Sequence, residues 1–574
     1  MSATTYPARI PASVFTSPRR RRSSVKSYTP LPNLKTQVRN ISSSPSSDDG
    51  YVPRSPAFMS IAYLREAIAA IDIKMAALIK ERADLETKLE TAVRLESPVL
   101  RLPSELLSNI FTVGVLGMGD EDPIMVTTLM LVCRYWADVA LNTPVLWAKI
   151  SVSPHNSLEK ARRRLVRSKS CPLDITINYG PRMEYTQSVT EHIIHAMDLF
   201  RPVLWRTKSF SLTVPNRPHA HTALLRCQED APILENLTIQ VYHSMQDDHY
   251  PSTPVSLFNG CTPSLRSCSI TSFNFGWDLK LIKGLRVLKL GGYFNSSTPS
   301  ATTLLDMLRQ CPELEELTLR NMSDVDSQIC STKRIDDFDA PIVHKIHLPR
   351  LKKMTFYYSG NAHTRELMSH ISFPNLESLE LAYLENTTSL LQLLYAQALT
   401  RLPLKYLRIE TCLFNEMKFV NLLRKLPSLV TLQLVDIEDI SHHSLKALSS
   451  CQPWICPRLE FVTFDGCTSI DWDSLRAFVE SRLPADPHAF KRYHSTASPG
   501  VSSASAAAAD YARMKSRQDR SGHAALLAAP QRIQMIDVTR CNQISKEMLQ
   551  WLRMYVPSVK YESAKGVWGE PTIL

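Results

Sequence analysis

Glycine is scarce in this chain, 16 residues in 574, and none of it forms a phosphate-cradling loop: Gly114, Gly117 and Gly119 lack the Lys-Ser/Thr that would have to follow. The twelve cysteines form no CxxC and no zinc-type Cys/His spacing, which leaves no metal motif. No GxSxG is present, and His442-His443 stand apart from any carboxylate-bearing motif. No apolar run approaches the roughly 18 residues of a membrane span, and the start has no apolar core of a secretory signal. These absences argue against an enzyme, a cofactor or metal protein and a membrane protein. A reducing compartment, cytoplasm or nucleus, is expected from unpaired cysteines.

The formal charge of +11 would suggest a polyanion as partner, but it is unevenly placed. Residues 1–57 carry nine basic residues, four of them in Arg19-Arg20-Arg21-Arg22, against Asp48 and Asp49. That surplus of seven leaves only four for the other 517 residues. The body of the chain therefore has no strong field to draw in nucleic acid. The Ser/Pro/Arg-rich tail, 1–57, is expected to be disordered, and its basic cluster fits an import signal, a kinase site or a solvated charge run.

What is present begins at residue 58. Over 58–96 apolar residues recur in alternating steps of three and four: Ile61, Leu64, Ile68, Ile71, Met75, Leu78, Leu85, Leu89, Ala92, with Arg82 as the one break. Arg65, Glu66, Lys74, Lys80, Glu81, Glu86 and Lys88 flank this stripe, the pattern of a heptad helix that Ser97-Pro98 ends. A homodimeric coiled coil through 61–92 and a helix folded back on its own chain both satisfy it.

Residues 97–152 hold three apolar blocks. In the first, Pro103 suits a first helical turn and Leu106, Leu107, Ile110 and Phe111 are expected to share one face. Leu129, Val132, Cys133 and Trp136 make a second face, and Asn142-Thr143-Pro144 opens a turn presenting Leu146 and Trp147. A loop is expected between them from Gly114 to Pro123. So small a unit with so much apolar surface calls for a partner.

From 173 onward one phrase repeats ten times: Pro-x-Leu-x-x-apolar-x-apolar, as in Pro312-Glu-Leu314-Glu-Glu-Leu317-Thr-Leu319 and Pro374-Asn-Leu376-Glu-Ser-Leu379-Glu-Leu381. Some copies lack the proline, as does Leu404-Lys-Tyr-Leu407-Arg-Ile409. This is the leucine-rich-repeat signature, a short strand per copy with the return over the convex side. Cys412, Cys467 and Cys541 fall where such repeats want Asn or Cys, to satisfy backbone groups at the turn. Pro172–Ile177 and Trp205–Val214 read as earlier, irregular strands, and 484–529 as a low-complexity insertion. The fold class is therefore α/β: tail, heptad helix, three-helix segment, then a solenoid over 153–574 with a parallel concave sheet. Strand residues alternate faces, so Thr318, Arg320, Thr355, Tyr357, Glu380, Arg408, Glu410, Gln433, Thr463, Asp465, Asp537 and Thr539 are candidates to hold a protein client.

The three blocks Leu102-Pro103-x-Glu105-Leu106-Leu107-x-x-Ile110-Phe111, Val132-Cys133-Arg134-x-Trp136 and Leu146-Trp147 resemble the F-box, in the F-box-like form abundant in basidiomycete fungi. The repeats with Cys467-Thr-Ser-Ile and Cys541-Asn-Gln-Ile look like the cysteine-containing repeats found behind F-boxes. The resemblance implies docking to the Skp adaptor of a cullin–RING ubiquitin ligase through Leu102, Pro103, Glu105, Leu106, Ile110, Phe111, Val132, Cys133, Trp136, Leu146 and Trp147. The repeats would hold the client, and catalysis would belong to another subunit. The alternative is an interaction scaffold that uses the helical segment as a cap, dimerises through the heptads and has no role in ubiquitination.

Overall fold

The computed structural model describes residues 61–96, 98–99, 101–117, 124–154, 157–180, 187–242, 254–294, 297–324, 345–398, 402–450, 453–483 and 530–562. The tail and the 484–529 insertion lie outside the described residues. The chain divides into two units, Met1–Glu96 and Ser97–Leu574. In the first, helix α1 (Ile61–Glu96) runs unbroken for 36 residues, and its apolar stripe is exposed.

The second unit starts with helices α2 (Ser104–Leu116), α3 (Met125–Val132) and α4 (Arg134–Leu141), then a single tight turn, Pro144–Trp147. Helix α2 continues two residues past Gly114, where the loop was expected to begin. The last residues of the 97–152 segment form a strand, β1 (Lys149–Val152), which pairs in parallel with β2 (Leu173–Asn178) and begins the long sheet. Helix α5 (Leu158–Arg167) connects them.

Beyond β2 the sheet grows one strand per repeat: β3 (Thr207–Val214), β4 (Asn236–Val241), β5 (Ser267–Thr271), β6 (Val287–Tyr293) and β7 (Glu316–Met322). A short pair, β8 (Ile346–His347) and β10 (Ile371–Ser372), forms a separate two-stranded ladder. The main sheet resumes with β9 (Lys353–Tyr357), β11 (Ser378–Ala382), β12 (Tyr406–Glu410), β13 (Thr431–Val435) and β14 (Phe461–Asp465). It ends with β15 (Met535–Asp537) and β16 (Ser558–Lys560). The fourteen strands lie in chain order and every pairing is parallel. β14 pairs directly with β15, so the insertion leaves the sheet continuous.

The repeated leucines explain this order. In each copy the first leucine and the two strand apolars, such as Leu376, Leu379 and Leu381, are buried in one core running from Ile150 to Val556. A single repeat cannot bury that face by itself; stacking can. Just past most strands one residue takes a left-handed conformation: Tyr358, Tyr383, Thr411, Asp436, Gly466 and Arg540 all have φ between 47° and 69°. A side chain there is disfavoured, but the turn aims the N–H at the next repeat: Tyr383 donates to Glu410 O (2.9 Å) and Asp436 to Asp465 O (2.7 Å). At Gly466 the approach is also close, because a Cβ would stand 2.1 Å from Asp436 Oδ1. Its bare backbone lets Arg540 reach across to both Asp436 and Asp465, each at 2.8 Å.

The cysteines read as structural are so placed. Cys412 Sγ donates to Glu410 O (3.1 Å) and Cys541 Sγ to Phe464 O (2.7 Å), while Cys467 Sγ approaches Leu434 O at 3.6 Å. Burial pushes the Cys412 and Cys467 thiols up to about 11 and that of Cys541 to about 12, which makes them poor nucleophiles.

Neighbouring repeats are also tied on the helical side. Glu416 accepts hydrogen bonds from the Ser441 and Ser444 N–H groups (2.9 and 3.1 Å) and from both hydroxyls, so it caps the helix His442–Ser449 of the next repeat. Burial alone would raise the Glu416 carboxyl, but the four donors outweigh it and hold it below the usual range. The carboxylate therefore adds stability above its unfolded value, near 4.3 by reference, and loses it as pH falls through the folded one. Glu416→Gln is expected to cost about 1–2 kcal/mol at pH 7 and progressively less towards pH 3. Denaturant titrations of both proteins at several pH values check this; a difference independent of pH would contradict it.

Candidate docking surface and strand face

Helix α2 carries two apolar stripes, because its apolar positions exceed what one face can hold. Leu107, Phe111 and Val115 point inward, where Val126, Leu129, Val139, Ala140, Leu146 and Trp147 complete a small core separate from that of the repeats. Leu106, Ile110 and Val113 point outward, 51%, 54% and 69% exposed. Leu131 (80%) and Val132 at the end of α3 are also exposed, as is Pro103 at the start of α2. The single face expected from Leu106, Leu107, Ile110 and Phe111 is therefore two, since successive residues of a helix are turned by about 100°.

The remaining sequence candidates divide the same way. Glu105 is exposed and Leu102 half-buried, its carbonyl accepting from Tyr135 Oη at 3.0 Å. Cys133 is extended (φ −160°, ψ 168°), which ends α3, and its Sγ accepts from Trp136 N–H to start α4. Trp136 is half-buried, its ring 5.0 Å from that of Phe111. Phe111, Leu146 and Trp147, expected in the contact surface, are core residues instead: the small unit has too few apolar side chains to spare these large ones. Val113 and Leu131 are further exposed apolar side chains beside these; helical phase from Leu106 and Ile110 predicts Val113, whereas Leu131 lies within the second block but off the face that Leu129 and Val132 define.

Trp147 also joins this unit to the solenoid. Its Nε1 donates to Ala140 O (2.9 Å), and the guanidinium groups of Arg167 and Arg164 lie 4.5 and 5.9 Å from its ring centroid. Arg164 in turn donates to Leu146 O at 3.1 Å. The helical unit is thus tied to the first repeat by α5 rather than by a free linker.

On the strand face the register aligns Thr318, Thr355, Glu380, Arg408, Gln433, Thr463 and Asp537 in one row, with Arg320, Tyr357, Glu410 and Asp465 in the next. Most of these are already engaged. Arg408 donates to Glu410 (2.6 Å) and Gln433 (2.8 Å), Thr355 to Glu380 (3.4 Å), and Arg540 to Asp465. Asp537 accepts from the Thr539 N–H and hydroxyl, which closes a turn. Thr318, Thr355 and Thr463, expected to face a client, are buried, since short side chains sink between longer neighbours on strands under 5 Å apart. Arg320 and Tyr357 remain exposed, with Arg320 over the Tyr357 ring (5.9 Å) and the Tyr383 ring 5.0 Å from it. Tyr383 extends this aromatic group and Tyr358 is exposed; both sit at left-handed positions outside the strand alternation, so the repeat phrase does not reveal them.

Among the described residues no group of three or more His, Cys, Asp or Glu is placed to hold a metal ion, and no helix is long and apolar enough to cross a membrane.

Residues 99–153 match the F-box-like family. The match begins just before α2 and ends just past β1, so it takes in both stripes of α2 and the Trp147 junction. No curated protein matches the chain. Among solved structures, the chain is similar to the crystal structure of the Rad7 and Elc1 complex in yeast, at 13% identity over 84% of this chain and 97% of that one, with a TM-score of 0.35. That likeness is too loose to bear on what this chain does.

Proposed function

We propose that this chain is a non-catalytic, client-holding subunit of a cullin–RING ubiquitin ligase. Its F-box-like unit docks to a Skp-type adaptor, and the strand face of the repeats holds a protein client. The observation that carries this reading is the outward apolar stripe of α2, Leu106, Ile110 and Val113, in a unit that matches the F-box-like family. A contiguous exposed apolar surface on so small a unit marks a protein partner. The rigid Trp147 junction supports it too, because a subunit that presents a client works by holding it at a fixed place relative to another protein's chemistry. For the client, the exposed Arg320–Tyr357–Tyr383 group has the aromatic and arginine character of interface anchors. Purified chain mixed with a Skp-type adaptor and a cullin is expected to co-elute as one complex in size-exclusion chromatography. Elution of the chain alone, with adaptor and cullin together, would sink the proposal.

A further inference from the structure

Helix α1 has an exposed apolar stripe, and its flanking charges say what covers it. In heptad terms Ile61, Ile68, Met75, Arg82 and Leu89 occupy one core position and Leu64, Ile71, Leu78, Leu85 and Ala92 the other. Two copies can meet along this seam in two directions, and the charges choose between them.

In a parallel pair the residue before each first core position faces one five places later on the other helix. That sets Glu81 against the partner's Glu86, a repulsion that occurs twice. It also sets Arg82 against the partner's Arg82 in the core, while Lys74 faces the partner's Ile79. No attractive flanking pair results. In an antiparallel pair aligned so that Met75 packs on the partner's Leu78, Ile68 packs on the partner's Leu85 and Arg82 on the partner's Ile71. Lys74 then faces the partner's Glu81, and Arg65 faces the partner's Glu86. Both contacts occur twice through the two-fold axis, and both are attractive. Glu86 also accepts from Arg82 Nε of its own helix at 3.0 Å, which keeps the one core charge neutralised at the seam.

We infer that α1 is the dimerisation element of this protein and that two copies of the chain pair through it in antiparallel fashion, held in register by Lys74–Glu81 and Arg65–Glu86 contacts between copies. A helix of 36 residues is about 54 Å long. The two chains therefore leave the pair at opposite ends of a rod, each leading on from its own Glu96. The dimer stands independently of the ligase reading. Its consequence, two adaptor-bound chains leaving from opposite ends of the rod rather than side by side, rests on that reading.

A charge reversal tests the direction. Glu81→Lys sets the introduced ammonium against the partner's Lys74 in the antiparallel pair, and against the partner's Glu86 in the parallel one. Sedimentation equilibrium of the full chain in low salt is expected to show a dimer whose dissociation constant rises roughly tenfold in E81K, because an attractive contact turns repulsive at both of its places about the two-fold axis. The double change K74E/E81K is expected to restore it, and a chain lacking 61–96 to be monomeric. A tighter or unchanged E81K dimer overturns the antiparallel assignment. A monomeric wild type at about 50 μM, weak for any specific pair, or a dimer that survives loss of 61–96, overturns α1 as the element. Adaptor binding measured on the same variants is expected to be unchanged, which separates failure of this inference from failure of the ligase reading.

Discussion

Trp147→Ala is expected to unfold the F-box-like unit while leaving the repeats folded. The indole fills the small core shared by α2, α3 and α4, donates to Ala140 O, and is covered by Arg164 and Arg167 from α5. Removing a buried tryptophan costs about 3–5 kcal/mol, which is of the order of what a unit of some fifty residues has to lose. The repeat core is a separate cluster and does not include Trp147. Hydrogen exchange read by mass spectrometry should therefore show loss of protection across residues 104–147 with β3 to β14 unaffected. Protection that persists in α2, or that is lost throughout the solenoid, would contradict the two-core description.

Leu106→Glu with Ile110→Glu is expected to abolish adaptor docking without lowering stability. Both side chains are more than half exposed on the outward stripe, so the folded chain loses little when they become charged. Each would sit at the centre of an apolar contact, where truncation of an anchor typically costs about 2 kcal/mol or more and an unpaired buried charge costs further. A fall in adaptor affinity of at least about 100-fold follows from two such sites. The neighbour Leu107→Glu is the contrast: it buries a carboxylate in the small core and is expected to behave like Trp147→Ala. Equal effects of Leu106→Glu and Leu107→Glu on thermal unfolding would show that the two stripes have been wrongly separated.

Much of the fold is readable in the sequence because its determinants are periodic. The Pro-x-Leu phrase repeats often enough to announce a stack of parallel strands, and each strand from β4 to β15 on which the phrase falls lies in the main sheet. β1 escapes because Lys149–Val152 carries no such phrase, and it is recruited only by pairing with β2. Within α2 the sequence shows four large apolar residues in six positions, and only packing decides which pair goes inward. The break at Cys133 is equally hidden: a cysteine is not a usual helix cap, and its role depends on the Trp136 N–H reaching its sulfur. On the strand face alternation does not tell which side chains sink between their neighbours, nor which are consumed by one another. Arg408, Glu410 and Gln433 satisfy each other, and no single-sequence pattern foretells that.

The engaged state of those residues shifts attention to the exposed ones. Arg320, Tyr357, Tyr358 and Tyr383 offer exposed arginine and aromatic surface, whereas the Arg408 network and the Arg540–Asp436–Asp465 bridge hold repeats in register. The left-handed turn that exposes Tyr383 also ties its backbone to β12 through Glu410 O, and its hydroxyl donates to the Glu410 carboxylate at 3.1 Å. The same turn thus serves the stack and displays a side chain.

If the outward stripe of α2 is a docking surface for a Skp-type adaptor, isothermal titration of the purified adaptor into the full chain will show it most directly. Saturable 1:1 binding per chain is predicted, with a dissociation constant of about 1 μM or tighter, as a specific apolar interface of standard size gives, and its loss in the Leu106→Glu/Ile110→Glu chain. No heat of binding from the wild type, or the same isotherm from the double variant, would contradict it.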